Sequence, residues 1–538
     1  MAKYRKPLHP DAPLYLTNHR RPMTRREMIA QGFKLGSGTL VGGSLLSILT
    51  QPGYAAEVNL SADIAAVRDQ CGIAAQGAGK IPFICFDLAG GANFAGSNVL
   101  IGQRGGQQDF LSAAGYQKQG LPADMAPSAS TAATLVDSSM GLLFQADSGI
   151  LAGMKTKVQA TTAANTNGAV IAARSENDTG NNPHNPMYGI YKAGAAGSLV
   201  DLIGSRNSDS GGNSMAPASL INLEVRPTKV DNPNDVTGLV DVGDLVDLMS
   251  QEDIVKTMES IYRISDAKLN SLASLGTSRD AQLKELLRCG YVKSADLAAR
   301  FGNPADIDPI ADSDIVGPSG IFSFDEFDDD GELRKTASVM KLVVNGYAGA
   351  GTVTMGGYDY HTGDRSTGEL RDQRAGKCIG ACLEYAARKG MPLMIYVFSD
   401  GSVFSNGMID DSPDGRGKGV WTGDDQQTAC SFFLVYNPGG RPVLVGGASS
   451  DPAALSDEQM RHQQIGYMRP SGDVETAGSP AANNVNLLVE TVVLNYMALH
   501  GQQAQFPTLF RGHGLGSASM MDRLTAFQPI VNGTIGST

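Results

Sequence analysis

Apolar positions follow two periods along this chain. Ile81 to Leu88 is a continuous apolar run of the kind a strand buried on both faces presents. Ala169 to Ala173, Thr352 to Met355 and Leu393 to Phe398 are shorter runs of the same type. Each ends in a polar or glycine-rich tip: Ala89, Gly90, Gly91, Ala92, Asn93 after the first, Arg174 to Asn177 after the second, Gly356 to His361 after the third, and Ser399, Asp400, Gly401 after the fourth. Helical spacing holds from Thr336 to Asn345. It also holds from Ser250 to Gly302, where Ile254, Met258 and Ile261, then Leu283, Leu286 and Leu287, then Leu297 and Phe301 form three stripes. Strand, tip, helix and strand in alternation predict an α/β domain with a mostly parallel sheet, helices on both faces, and a helical insertion over 205–335. In such a sheet the tips share one edge, where open α/β folds place their chemistry. Asp359, His361 and Asp400 are therefore expected to converge.

The stretches between carry weaker signals. Residues 102–138 are glycine-rich and are expected to be surface excursions. The polar loop from Arg174 to Pro186 holds Ser175, a candidate nucleophile or metal-facing hydroxyl, and His184, a loop histidine; its Asn, Asp and Pro residues also suit ordinary turns. Asp325 to Glu332 has the acidity of a calcium loop but reaches Ala337 where a bidentate glutamate is required, so it is expected to be a solvated face.

At 538 residues, 42% hydrophobic and 18% charged, the chain is an ordinary globular one, and its 65 glycines have no fixed period. Six cysteines in such a length make no disulfide framework; buried free thiols are expected for most of them, and Cys378 and Cys382 stand one helical turn apart. The first 55 residues differ in charge, with eight basic side chains against Asp11 and Glu27. Without them 35 basic and 53 acidic side chains remain, so a net of −12 becomes −18. That balance argues against a nucleic-acid partner. Thr24, Arg25, Arg26, Glu27, Met28, Ile29, a weakly apolar stretch from Leu35 to Thr50 and a small-residue site near Gly53 to Ala56 suit a twin-arginine export signal over 1–55. The stretch is broken by four glycines and falls short of the roughly 20 apolar residues that span a bilayer, so no stable membrane span is expected. The expected location is periplasmic or secreted, with the twin-arginine translocase as partner during export.

The segment Met355 to His361 resembles the Gly-Gly-aromatic-Asp-x-His signature of a large bacterial family with twin-arginine signals, within the alkaline phosphatase and sulfatase superfamily. In the same order, Leu88 to Asn93 resembles its first strand tip, Arg174 to Asn177 its Arg-Ser-His-Phe segment, Ser399 to Gly401 its Ser-Glu-Phe-Gly turn, Phe432 to Gly447 its late strand pair, and Leu487 to Phe510 its ending. The resemblance implies an alkaline phosphatase-like domain over 56–538 with Asp359, His361, Asp400 and Asn93 as metal ligands and Ser175 near the nucleophile. One hard divalent cation, calcium, magnesium or manganese, would then serve as Lewis acid. Asn93 stands where the family has Asp, Glu176 and Asn177 replace His and Phe, and Trp421 to Asp425 lacks the histidine of an Asp-His-Gly tip. Two expectations follow: an exported binding or envelope-assembly protein with a degenerate metal site, or a metal-dependent phosphate or sulfate ester hydrolase.

Overall fold

In a computed structural model, residues 60–71, 79–175, 182–240, 251–271, 279–301, 304–361, 363 and 365–535 are described. The export signal, Glu176, Asn177 and Ser250 lie outside them. Two compact units divide the chain, one of residues 1–73 with 238–304 and one of 74–237 with 305–538.

The larger unit is built on a mixed, mostly parallel sheet of eight strands. In chain order they are β1 (Phe83–Leu88), β2 (Thr166–Ala172), β3 (Val200–Gly204), β4 (Thr228–Lys229), β5 (Ala348–Met355), β6 (Leu393–Ser399), β9 (Cys430–Tyr436) and β10 (Gln464–Ile465). β7 (Val403–Asp410) and β8 (Lys418–Asp424) form a separate antiparallel hairpin. The sheet order is β10-β2-β9-β6-β1-β5-β3-β4. β1, the earliest strand, is central and pairs in parallel with β5 and β6, with Leu88 level with both Met355 and Ser399. β9 runs antiparallel to β2 and β6. Its amino end, not its carboxyl end, therefore joins the rim that carries the tips. The segment resembling a late strand pair holds this one sheet strand, followed by turns.

Helices flank both faces because successive side chains of a strand point to opposite sides. On one face Phe83, Cys85, Ile171, Tyr396 and Phe433 pack with the closing helix Val485–Leu499, where Phe83 and Tyr496 meet edge to face at 5.8 Å. The other face meets the helix Gly331–Val344, and a Cβ on Gly351 would lie 2.5 Å from Val339, so glycine permits the close approach. A 23-residue helix, Ser366–Arg388, leads from the third tip into β6. Residues 102–138 depart from the expected surface excursion: Gln107, Leu111, Tyr116, Gln119 and Leu121 are buried. Phe324–Asp329 is a short helix with a Ser323/Glu326 capping box, which accounts for the acidic run without a cation.

The smaller unit holds a helical hairpin, Gln251–Ser271 and Asp280–Arg300, so the three expected stripes fall on two helices. It also holds the helix Ala62–Gln70, with Ile64, Val67, Tyr262, Tyr291 and Val292 as its core. Cys71 and Cys289 form a disulfide, and Cys85, Cys378, Cys382 and Cys430 are buried free thiols. The disulfide is compatible with an extracytoplasmic location. Among the described residues no helix is long and apolar enough to cross a membrane.

Candidate metal centre at the sheet rim

The tips of β1, β5 and β6 converge as parallel pairing requires. Ala89 donates its N–H to Met355 O, Tyr358 donates to Ala89 O, and Ser399 Oγ donates to Leu88 O at 2.7 Å. Gly90 lies so close to the third tip that a Cβ on it would stand 2.2 Å from Asp359 N, and its φ of +134° is one that few other residues adopt. Gly357, at φ +87°, turns the β5 tip outward and delivers Asp359 and His361 to the rim.

His361 Nε2 lies 2.6 Å from Asp359 Oδ1 and 3.6 Å from Asp424 Oδ1. Among the described residues this group has its ligand atoms within 4.8 Å of one another. Asp424 arrives from the end of β8, where it pairs with Val403, and Gly363 donates its N–H to Trp421 O on the same strand. Two carboxylates and an imidazole, all partly exposed, are a donor set that a divalent cation with several remaining waters can use; the imidazole nitrogen suits manganese better than calcium or magnesium. A cavity of about 460 Å³ adjoins Asp424, lined also by Arg174, Ser402 and Gln426.

Asp400, expected as a third ligand, lies at the same rim but is fully buried and differently engaged. Its Oδ1 accepts the Gly90 N–H at 2.9 Å and its Oδ2 accepts the Asn213 amide at 3.1 Å. Asn93 is buried as well; its Nδ2 donates to Val403 O at 2.5 Å, while its Oδ1 has no partner. Ser175 Oγ donates to Asp400 O at 2.5 Å, and Asn182 Nδ2 donates to the same carbonyl at 2.7 Å.

Three residues matter more here than sequence reasoning suggests. Asp87 sits inside the first apolar run, fully buried, its Oδ2 accepting the N–H groups of Asn213 and Ser214 at 2.6 and 2.8 Å. Burial, with the charge of Asp400 adding to it, pushes its carboxyl up to about 6, against the hydrogen bonds from Ser214 and Asn213. A carboxylate amid buried strand positions must find donors, and that was the available signal. His184 is buried and stacked on Phe398, with neither ring nitrogen hydrogen-bonded, and burial pushes its imidazole down to about 3. Asp424, in the Trp421 to Asp425 stretch that lacks a histidine of its own, is the third member of the cation group, whereas its neighbour Asp425 is ion-paired with Lys118 at 2.9 Å. No protein-family model, curated protein or solved structure matches the chain.

Proposed function

We propose that this chain is an exported binding or assembly protein on an alkaline phosphatase and sulfatase-like scaffold, with a reduced cation site in place of a catalytic metal centre. The observation that carries this reading is the engagement of the groups hydrolysis would need. Ser175 spends its hydroxyl proton on a backbone carbonyl, Asp400 accepts from Gly90 and Asn213, and Asn93 turns its amide to Val403 O. These contacts brace loops. A nucleophile requires a base within hydrogen-bond reach, and Ser175 has none among its described partners. The eight-stranded, mostly parallel sheet with converging tips suits the superfamily, and Asp359, His361 and Asp424 would hold one divalent cation that supplies Lewis acidity or a ligand bridge.

The second reading, a metal-dependent phosphate or sulfate ester hydrolase, draws on the cavity of about 460 Å³ beside Asp424 and Arg174. Metal analysis of the purified mature chain, run beside phosphatase and sulfatase assays, separates the two. Turnover that disappears with stoichiometric metal in Asp359→Ala or His361→Ala supports hydrolysis. A folded protein without turnover, whether or not it takes manganese, supports binding.

A further inference from the structure

The smaller unit gathers three metal-binding side chains around its disulfide. Glu285 and Cys289 stand one turn apart on the helix Asp280–Arg300, so they share a face. Cys71 meets them from the carboxyl end of the helix Ala62–Gln70, where its N–H donates to Val67 O. The two sulfurs and a carboxylate oxygen of Glu285 all lie within 4.8 Å of one another.

The carboxylate is what a simple staple does not need. Glu285 Oε1 lies 3.5 Å from Cys289 Sγ. A bridged sulfur has no proton to donate, so this approach makes no hydrogen bond while the disulfide stands. Glu285 is exposed, with its other oxygen 3.8 Å from Arg288 Nη1, and solvent is open to it. Once the sulfurs are reduced, the same contact becomes S–H···O or, with a cation between the two atoms, shared coordination. The placement of Glu285 therefore suits thiols and not the bridge.

Other contacts also hold these helices together, so the three groups stay close without the S–S bond. Arg263 pairs with Asp63 at 2.8 Å, Ser61 N–H donates to Glu259 Oε1 at 2.6 Å, and Cys71 packs on Ile64, Val67 and Val292. Thiolates at about 2.3 Å from a tetrahedral zinc stand about 3.8 Å from each other. Cα atoms 5.6 Å apart permit that separation by rotation about the two Cα–Cβ bonds. Two soft thiolates with one carboxylate favour zinc over calcium, magnesium or manganese.

We propose that Cys71, Cys289 and Glu285 bind one zinc ion when the bridge is reduced, with water in the fourth position, and release it when the bridge re-forms. Reduction by a dithiol delivers two electrons and two protons to the sulfurs, while the dithiol becomes its own disulfide. Zinc then displaces both thiol protons and forms two Zn–S bonds. A low-molecular-weight disulfide reverses the change: its sulfurs accept the two electrons and take two protons from water, the S–S bond forms, and the zinc ion leaves. The site shares no residue with Asp359, His361 and Asp424, so it goes beyond the function proposed above and does not depend on it.

Cobalt(II) titration of the full chain, reduced with a phosphine, tests this, because sulfur-to-cobalt charge-transfer absorption requires a thiolate ligand; competition with zinc then gives the zinc affinity. A saturable band is expected in the reduced parent and none in the oxidised one. Cys71→Ser should at least halve the band, and Glu285→Gln should weaken binding at least about tenfold while keeping it. Asp359→Ala should leave band and affinity unchanged, which separates this site from the cation group at the sheet rim. Glu285 is exposed, so Glu285→Gln decides the matter if the cysteine variant misfolds, with circular dichroism checking the helices of each reduced protein. No band in the reduced parent, the same band in the oxidised parent, or parental affinity in Glu285→Gln overturns the proposal.

Discussion

The carboxylate of Asp400 accepts the backbone N–H of Gly90 at 2.9 Å, so the tip of β6 grips the tip of β1 through a buried charge. The same Gly90 has room for no side chain against Asp359 N. Gly90→Ala should therefore cost at least about 2 kcal/mol, from strain at a positive φ and from displacing the third tip. Denaturant unfolding measures the loss, and manganese binding by the folded fraction should fall with it. An unchanged midpoint would show that the tips are not held as described.

Asp87 gives stability a pH dependence of unusual sign. Its carboxyl titrates near 6 in the native protein against a reference of 3.8, so the folded state keeps the proton longer than the unfolded chain. The contribution is fully present below the reference value and is lost as the pH rises through 6, up to about 3 kcal/mol in all. Asp87→Asn, whose amide can still accept the N–H groups of Asn213 and Ser214, should flatten unfolding free energy between about pH 4 and 7. A variant that keeps the parental slope contradicts this.

His184 acts in the opposite direction. Its imidazole titrates near 3 when folded and near 6.5 otherwise, so its contribution holds above 6.5 and is lost as the pH falls towards 3. The loss amounts to about 1.4 kcal/mol per pH unit within that window. His184→Gln should retain more stability than the parent at about pH 4 to 5. The two effects overlap in wild-type protein, so the comparison rests on variant slopes, followed by chemical unfolding.

The Cys71–Cys289 bridge closes a sequence separation of 218 residues. Replacing both cysteines with serine should destabilise the helical unit by about 2 to 4 kcal/mol. Circular dichroism of the reduced parent and the double variant should coincide. If the oxidised parent is no more stable than the variant, the bridge contributes nothing.

What the sequence disclosed was whatever depends on local pattern. Strands such as Ile81 to Leu88 and Leu393 to Phe398 announce themselves because both faces are buried, and their tips follow at once. Strand direction is not encoded that way: Cys430–Tyr436 is as apolar as its parallel neighbours yet runs against them. Asp424 reaches His361 only because a hairpin folds back, a long-range event that no spacing announces. Asp359 and His361 could be placed at the rim from sequence, but the hydrogen-bond partners of Asp400, Asn93 and Ser175 are set by residues distant in the chain.

The central position of β1 has a consequence for synthesis. Phe83 must wait for Ala350 on one side and Met394 on the other before it has neighbours. A nascent polypeptide therefore emerges with this fully buried strand unmated for most of translation, exposed to aggregation unless a chaperone shields it. Any truncation ahead of residue 399 deletes the strand's partner on one flank, so shortened fragments of the larger unit should collect as insoluble material, not as smaller folded pieces.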